Sequence, residues 1–142
     1  VYELAIGLRA YQIHRMSIEL NHTIVHAVDK AESAKFLTEI LGLGAPTPFG
    51  HFLVVKTANG VSLDFIDSGG EPIAHQHYAF LVSEAEFDTI FARIEQRKIG
   101  YWADPFGREP NRINTHFGGR GCYFRDPSGH LLEIITRPYA TG

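Results

Sequence analysis

The sequence holds one cysteine, Cys122, so no disulfide can close within the chain and no Cys-x-x-Cys pair is present for structural zinc. A reducing compartment, the cytoplasm, is the expected location. An excess of positive charge is also missing. Thirteen Lys and Arg stand against 16 Asp and Glu, for a formal net charge of -3. That balance offers no basic surface to a phosphate backbone and argues against nucleic acid as a partner. No apolar run approaches the ~20 residues that span a bilayer, so no membrane is expected either. Methionine occurs once, at Met16. The stretch before it, Val1 to Arg15, lacks the apolar core and small-residue cleavage site of a secretory leader, and is expected to be upstream or vector-derived sequence.

What is present is ordinary for a globular protein: 44% hydrophobic, 20% charged and 12% aromatic residues over 142 positions. This suits a single domain, residues 16–142, whose natural partner is a small molecule. Leu20 to Val28 reads as a strand, and Asp29 with Glu32 three residues on reads as the capping box of a following helix. Ala34, Leu37 and Leu41 give that helix an apolar stripe, and Gly42 and Gly44 end it. Phe52 to Thr57 and Val61 to Ile66 then form a hairpin about Asn59-Gly60. After a Gly- and Ser-containing linker the same order returns. A strand runs from His77 to Val82, a Ser83–Glu86 cap follows, and a helix carries Phe87, Ile90, Phe91 and Ile94. Gly121 to Phe124 and His130 to Ile135 make the second hairpin, about Asp126-Pro127-Ser128-Gly129. The chain is therefore an α+β protein of two tandem modules, residues 20–68 and 74–138. The modules are expected to close into an open barrel with the helices outside and a cleft within.

The duplication places chemistry in register. His22 and His77 hold matching places near the starts of their modules' first strands, each seven residues before an acidic residue, Asp29 and Glu84. Glu133 lies four residues beyond Gly129, and Asp64 four beyond Gly60. Two imidazoles and a carboxylate on rigid strands make a facial set of ligands that leaves coordination positions open. His22, His77 and Glu133 are thus the expected ligands of one divalent ion, with Asp64 a candidate fourth. Fe(II) best matches the set, and Mn(II), Ni(II) or Zn(II) accept similar ligands. His26 shares a face with His22 by the two-residue strand period and is expected in a hydrogen-bonded core position.

At these residues the chain resembles the vicinal oxygen chelate superfamily, which includes glyoxalase I, extradiol ring-cleaving dioxygenases, fosfomycin-resistance enzymes and bleomycin-resistance proteins. The resemblance spans about residues 20–138. It rests on Leu20-Asn21-His22 leading to Asp29, on His77-Tyr78-Ala79-Phe80 leading to Ser83, and on the run from Tyr123 to Glu133. Asn114-Thr115-His116, then Cys122-Tyr123, Asp126-Pro127, Gly129 and Glu133 are similar to an extradiol dioxygenase signature, with Cys122 in place of a larger apolar residue. The resemblance implies that His116 acts as acid, base or hydrogen-bond donor and that Tyr123 bonds a metal-bound catecholate. The long stretch from Tyr101 to Gly119 reads as a loop over the cleft that offers Trp102, Phe106 and Arg112 to substrate, with Arg112 or Arg120 favouring an anionic or phenolic one. The expectation is a homodimeric metalloenzyme of extradiol dioxygenase-like chemistry. The alternatives are a glyoxalase I-like lyase or isomerase and a drug-binding protein of the bleomycin-resistance type.

Overall fold

The computed structural model describes residues 17–140, so the stretch Val1 to Arg15 lies outside the described residues. The first module contains strand β1 (His22–Ala27), helix α1 (Lys30–Leu41), and strands β2 (Thr47–Phe49), β3 (Phe52–Lys56) and β4 (Ser62–Asp67). The second contains β5 (His77–Leu81), helix α2 (Glu84–Gln96), β6 (Tyr101–Trp102), β7 (Gly121–Arg125) and β8 (Leu131–Ile135). Each module forms a four-stranded mixed sheet, in the orders β1-β4-β3-β2 and β5-β8-β7-β6. The strand beginning with a histidine runs parallel to the module's last strand in both sheets. This is the α+β pairing of βαβββ modules that the sequence implies. Two elements escaped that reading. β2 and β6 are edge strands of three and two residues, too short for alternation to register, and β2 contains Pro48, which an edge tolerates.

The helices begin and end where the local chemistry directs. Asp29 caps α1 by accepting from the backbone N–H groups of Ala31 and Glu32. Of the capping box expected there the aspartate half forms; the full box is at Ser83 and Glu86, where both reciprocal bonds form. Gly42 ends α1 in the left-handed region, φ 71°, a conformation an L side chain rarely takes. Arg93 of α2 donates to the carbonyl of Ile40 at 3.0 Å, which satisfies one of the last carbonyls of α1.

Alternation along the strands then sorts the faces. Val25, Ala27, Leu63 and Phe65 of the first sheet and Phe124, Leu132 and Ile134 of the second are buried against the helices, joining Leu37, Ile40, Phe87, Ile90 and Ile94 in one cluster. Each fully buried Val, Leu, Ile or Phe among them contributes about 1.5–3 kcal/mol. Cys122 belongs to the same core, and burial, with the nearby Glu133 charge, pushes its thiol up to about 12. The opposite faces carry His22, Ile24, His26 and Asp64 on one sheet and His77, Ala79, Leu81 and Glu133 on the other.

The Asp126–Gly129 turn ties the modules together. Asp126 accepts from the backbone N–H groups of Ser128 and His130 and shapes the turn. The Ser128 hydroxyl reaches back to the Val28 N–H at 3.0 Å and to the Ser33 hydroxyl at 2.9 Å. Buried His130 accepts from the Gln76 N–H through Nδ1, so Nε2 carries the proton that it donates to the His26 carbonyl at 2.7 Å. His26 itself is exposed, contrary to the expected core position; its carbonyl, not its ring, is the group in use.

Candidate metal centre

The register of the two parallel strand pairs is the same. His22 faces Ser62 and Ile24 faces Asp64; His77 faces Leu131 and Ala79 faces Glu133. A histidine and a carboxylate therefore stand at one equivalent position on each helix-free face. In the second sheet the pair is fully formed. His77 Nε2 lies 3.7 Å from Glu133 Oε1, and its Nδ1 is 3.1 Å from the Leu131 carbonyl. A carbonyl can only accept, so Nδ1 carries a proton, and in the neutral ring Nε2, the nitrogen nearest the carboxylate, is left as the donor atom for a ligand. Metal-binding imidazoles are commonly oriented in this way. An imidazole nitrogen and a carboxylate are donor types that a divalent metal takes, so His77 and Glu133 would be two of its ligands if one were bound.

Around this pair the second sheet supplies phenols. Tyr123 stacks on the His77 ring with centroids 5.9 Å apart. Tyr139, from the segment after β8, places its hydroxyl 2.5 Å from both Glu133 oxygens and 2.9 Å from the Tyr123 hydroxyl. Glu133 is 0% exposed, so the Tyr139 hydroxyl, backed by Tyr123, replaces water it has lost. Both phenols are held above their ordinary pKa, first by burial; for Tyr123 the bond to Tyr139 comes next, and for Tyr139 the bond to Glu133. Both are therefore protonated donors at neutral pH, Tyr123 to Tyr139 and Tyr139 to Glu133. Sequence reasoning missed Tyr139, which follows Pro138 outside any periodic element.

The other expected residues stand farther out. His22 is exposed at the start of β1, its Nδ1 2.7 Å from the Asn21 side-chain oxygen. Among the described residues no three His, Cys, Asp or Glu side chains come together closely enough to hold an ion. The chain thus brings His77 and Glu133 together and leaves His22 and Asp64 on the other sheet. One Asp64 carboxylate oxygen is buried there without a hydrogen-bond partner. His116 opens a short 3-10 turn and is exposed, while the ring of its neighbour Phe117 lies 5.0 Å from that of Tyr139. Trp102 faces Tyr123 across β6 and β7, and so shares the face of Glu133. Phe106 is exposed, under the guanidinium of Arg108 at 5.3 Å. Arg112 is exposed. Arg120 is spent on structure: it pairs with Glu84 at 2.7 Å and Asp88 at 2.8 Å and lies over the Phe87 ring. It is therefore not a free cation for substrate. The expected loop is in part a tight turn, because the Asp104 carboxylate accepts from the N–H groups of Phe106, Arg108 and Glu109.

Two βαβββ modules, each turning a histidine and a carboxylate onto its helix-free face, define a protein of the vicinal oxygen chelate class. The sequence profile of the glyoxalase/bleomycin resistance protein/dioxygenase superfamily matches residues 19–134, and the chain belongs to that superfamily. It is 59% identical to the solved structure of oxidase ChaP-H1, with a TM-score of 0.85 over 88% of this chain and 100% of that one. Oxidase ChaP-H2 is 57% identical, with a TM-score of 0.85 over 89% of this chain and 99% of that one. The glutathione transferase FosA of Serratia marcescens is 30% identical over 122 residues, covering 81% of this chain and 78% of the relative. These named relatives are enzymes.

Proposed function

We propose that the chain is a metal-dependent oxidoreductase acting on a small substrate that chelates through neighbouring oxygens, with extradiol dioxygenase-like oxidation of a phenolic compound as its reaction. The observation that carries this reading is the His77–Glu133 pair, with Nε2 freed by the Leu131 carbonyl and two phenol donors beside it. The likeness to two proteins named oxidases, at 59% and 57% identity over nearly their whole length, favours oxidation over isomerisation. Fe(II) is the ion this chemistry calls for, and Mn(II), Ni(II) or Zn(II) would fit the same donors. When bound, the ion supplies Lewis-acid polarisation of the substrate oxygens. His116 is a candidate donor to a developing phenolate, Tyr123 becomes one when its hydroxyl turns from Tyr139 to the substrate, and Trp102, Phe106 and Arg112 are the candidate substrate contacts. In ring cleavage both atoms of dioxygen enter the product, so no separate reductant is required.

His22 is assigned as the third ligand, contributed by a second copy of the chain in a homodimer, with Asp64 beside it as the candidate fourth. Apolar side chains support that pairing: Ile24, 47% exposed, and Leu81, 61% exposed, lie on the same faces as the ligands. The expected location is the cytoplasm.

Metal analysis of anaerobically purified protein tests the assignment. The parent is expected to hold about one ion per chain, and His22→Ala and His77→Ala each to hold almost none. Co-refolding the two variants would rebuild one intact site in each mixed dimer, about a quarter of the parent content. A His22→Ala protein that keeps its metal would remove His22. An oxygen electrode with catechols then tests the reaction. Metal-loaded protein that consumes no oxygen but adds glutathione to an electrophile would move the reading to the chemistry named for the Serratia relative.

A further inference from the structure

The Tyr139 hydroxyl stands 2.5 Å from both Glu133 oxygens, equidistant from the two in front of the carboxylate. That is the place where a carboxylate grips a cation with both oxygens. The position is held from three sides. The Tyr123 hydroxyl donates to it at 2.9 Å, and Phe117 packs on the ring with centroids 5.0 Å apart. The segment leading to it is pinned to the loop before β7, through the Thr136 N–H to the Arg120 carbonyl at 2.9 Å and the Arg120 N–H to the Thr136 hydroxyl at 2.8 Å. Phe117 adopts φ 56°, a costly conformation for an aromatic residue that the surrounding contacts must sustain. A carboxylate has about four lone-pair directions. With Tyr139 in front of both oxygens, those left to Glu133 are the outer ones, including the one on Oε1, the oxygen nearest His77 Nε2.

We propose that Tyr139 is a positioning residue that makes Glu133 a one-oxygen metal ligand, by occupying the chelating position of its carboxylate and turning Oε1 toward His77. The proposal rests on the metal centre argued above. It accounts for the way the chain spends a tyrosine beyond its last strand on a carboxylate that is already buried. It also links substrate space to the metal: a centre whose carboxylate takes one coordination position in place of two keeps a further position for a chelating substrate.

The test compares the parent with Tyr139→Phe, which keeps the ring against Phe117 and removes only the hydroxyl. Zn(II) affinity is measured by chelator competition, and Zn-minus-apo infrared difference spectra are taken on protein carrying isotope-labelled glutamate. The expected result is a loss of at least about tenfold in Zn(II) affinity. With it, the separation between the antisymmetric and symmetric carboxylate stretches should narrow from the wide spacing of one-oxygen ligation to the close spacing of two-oxygen ligation. A merely structural role would lower affinity and leave that spacing alone, and would overturn the proposal. Tighter binding by the variant would also overturn it, by showing the hydroxyl to be a competitor of the ion. A parent that binds no Zn(II), Fe(II) or Mn(II) would overturn the metal centre itself, an outcome distinct from a parent and variant that bind alike.

Discussion

Asp64 occupies in the first sheet the place that Glu133 occupies in the second: each lies two residues beyond the strand partner of its module's histidine, Ser62 for His22 and Leu131 for His77. Their surroundings differ. Glu133 has Tyr139 on both oxygens, whereas Asp64 keeps a buried oxygen with no partner. A buried acceptor left unpaired costs about 1–3 kcal/mol. In metal-free protein Asp64→Ala is therefore expected to leave stability equal or raised, while Glu133→Ala, which strands the Tyr139 hydroxyl and opens a void, lowers it by about 2–3 kcal/mol. Urea melts of the two variants decide the matter, and the ordering fails if Asp64→Ala is the more damaging.

Most of what organises this centre was legible because it is periodic. A duplication in register makes His22 the counterpart of His77 and Asp64 the counterpart of Glu133 from the sequence alone, and the caps at Asp29 and Ser83 are local chemistry. The parts that escaped depend on contacts distant in sequence. Tyr139 gains its role from a carboxylate on the preceding strand and a ring on another loop. His130 reads as an ordinary strand residue, yet it bonds Gln76 on one side and His26 on the other. Arg120 reads as a free cation until the fold brings α2 beneath it. Alternation puts His26 and His22 on one face, but it cannot say whether that face is packed or open within a single chain.

Acid sensitivity follows from the capping box of α2. The Ser83 backbone N–H, and then its side chain, hold Glu86 below its ordinary value of 4.5. A carboxyl depressed in the folded state stabilises the fold above its unfolded pKa and loses that contribution as pH falls through the lower folded value. Ser83→Ala is expected to cost about 1 kcal/mol at neutral pH. It should also lose somewhat less stability than the parent on acidification below pH 4.5, since the side-chain contribution to the lowered Glu86 value is gone while the backbone N–H bond stays. Parallel pH curves for parent and variant would disprove the link.

Arg120 tests the division between structure and substrate. Its guanidinium joins Glu84 and Asp88 and lies 4.4 Å from the Phe87 ring centroid, so Arg120→Ala removes packing as well as charge. The expected outcome is a fall of about 2–4 °C in Tm, with KM for substrate unchanged. Arg120→Lys would recover only part of the loss, since an ammonium cannot reproduce the two-pronged pairing. A raised KM with unchanged Tm would return Arg120 to the substrate.

Gly119 is required by space, not by backbone freedom. Its φ of -118° suits any residue, but a Cβ there would stand 2.7 Å from the Thr136 hydroxyl and 3.0 Å from Arg137 Cβ. Neither atom is the loose end of a long side chain, so Gly119→Ala must push the 136–139 segment outward and draw Tyr139 off Glu133. Overpacking of this kind costs about 1–3 kcal/mol. The displacement should also be visible in alkali. Tyr139 is held above its ordinary value of 10.0, first by burial and then by Glu133. A group raised in the folded state stabilises the fold below its unfolded pKa and loses that contribution as pH rises through the folded one. In Gly119→Ala one phenol is expected to ionise earlier in an ultraviolet titration, and the alkaline loss of stability should shrink. Gly44→Ala, whose added Cβ meets nothing within 4 Å, is the matched control. If both variants titrate like the parent, Gly119 does not hold the tyrosine in place, and the clamp between the loop and the C-terminal segment is not what positions it.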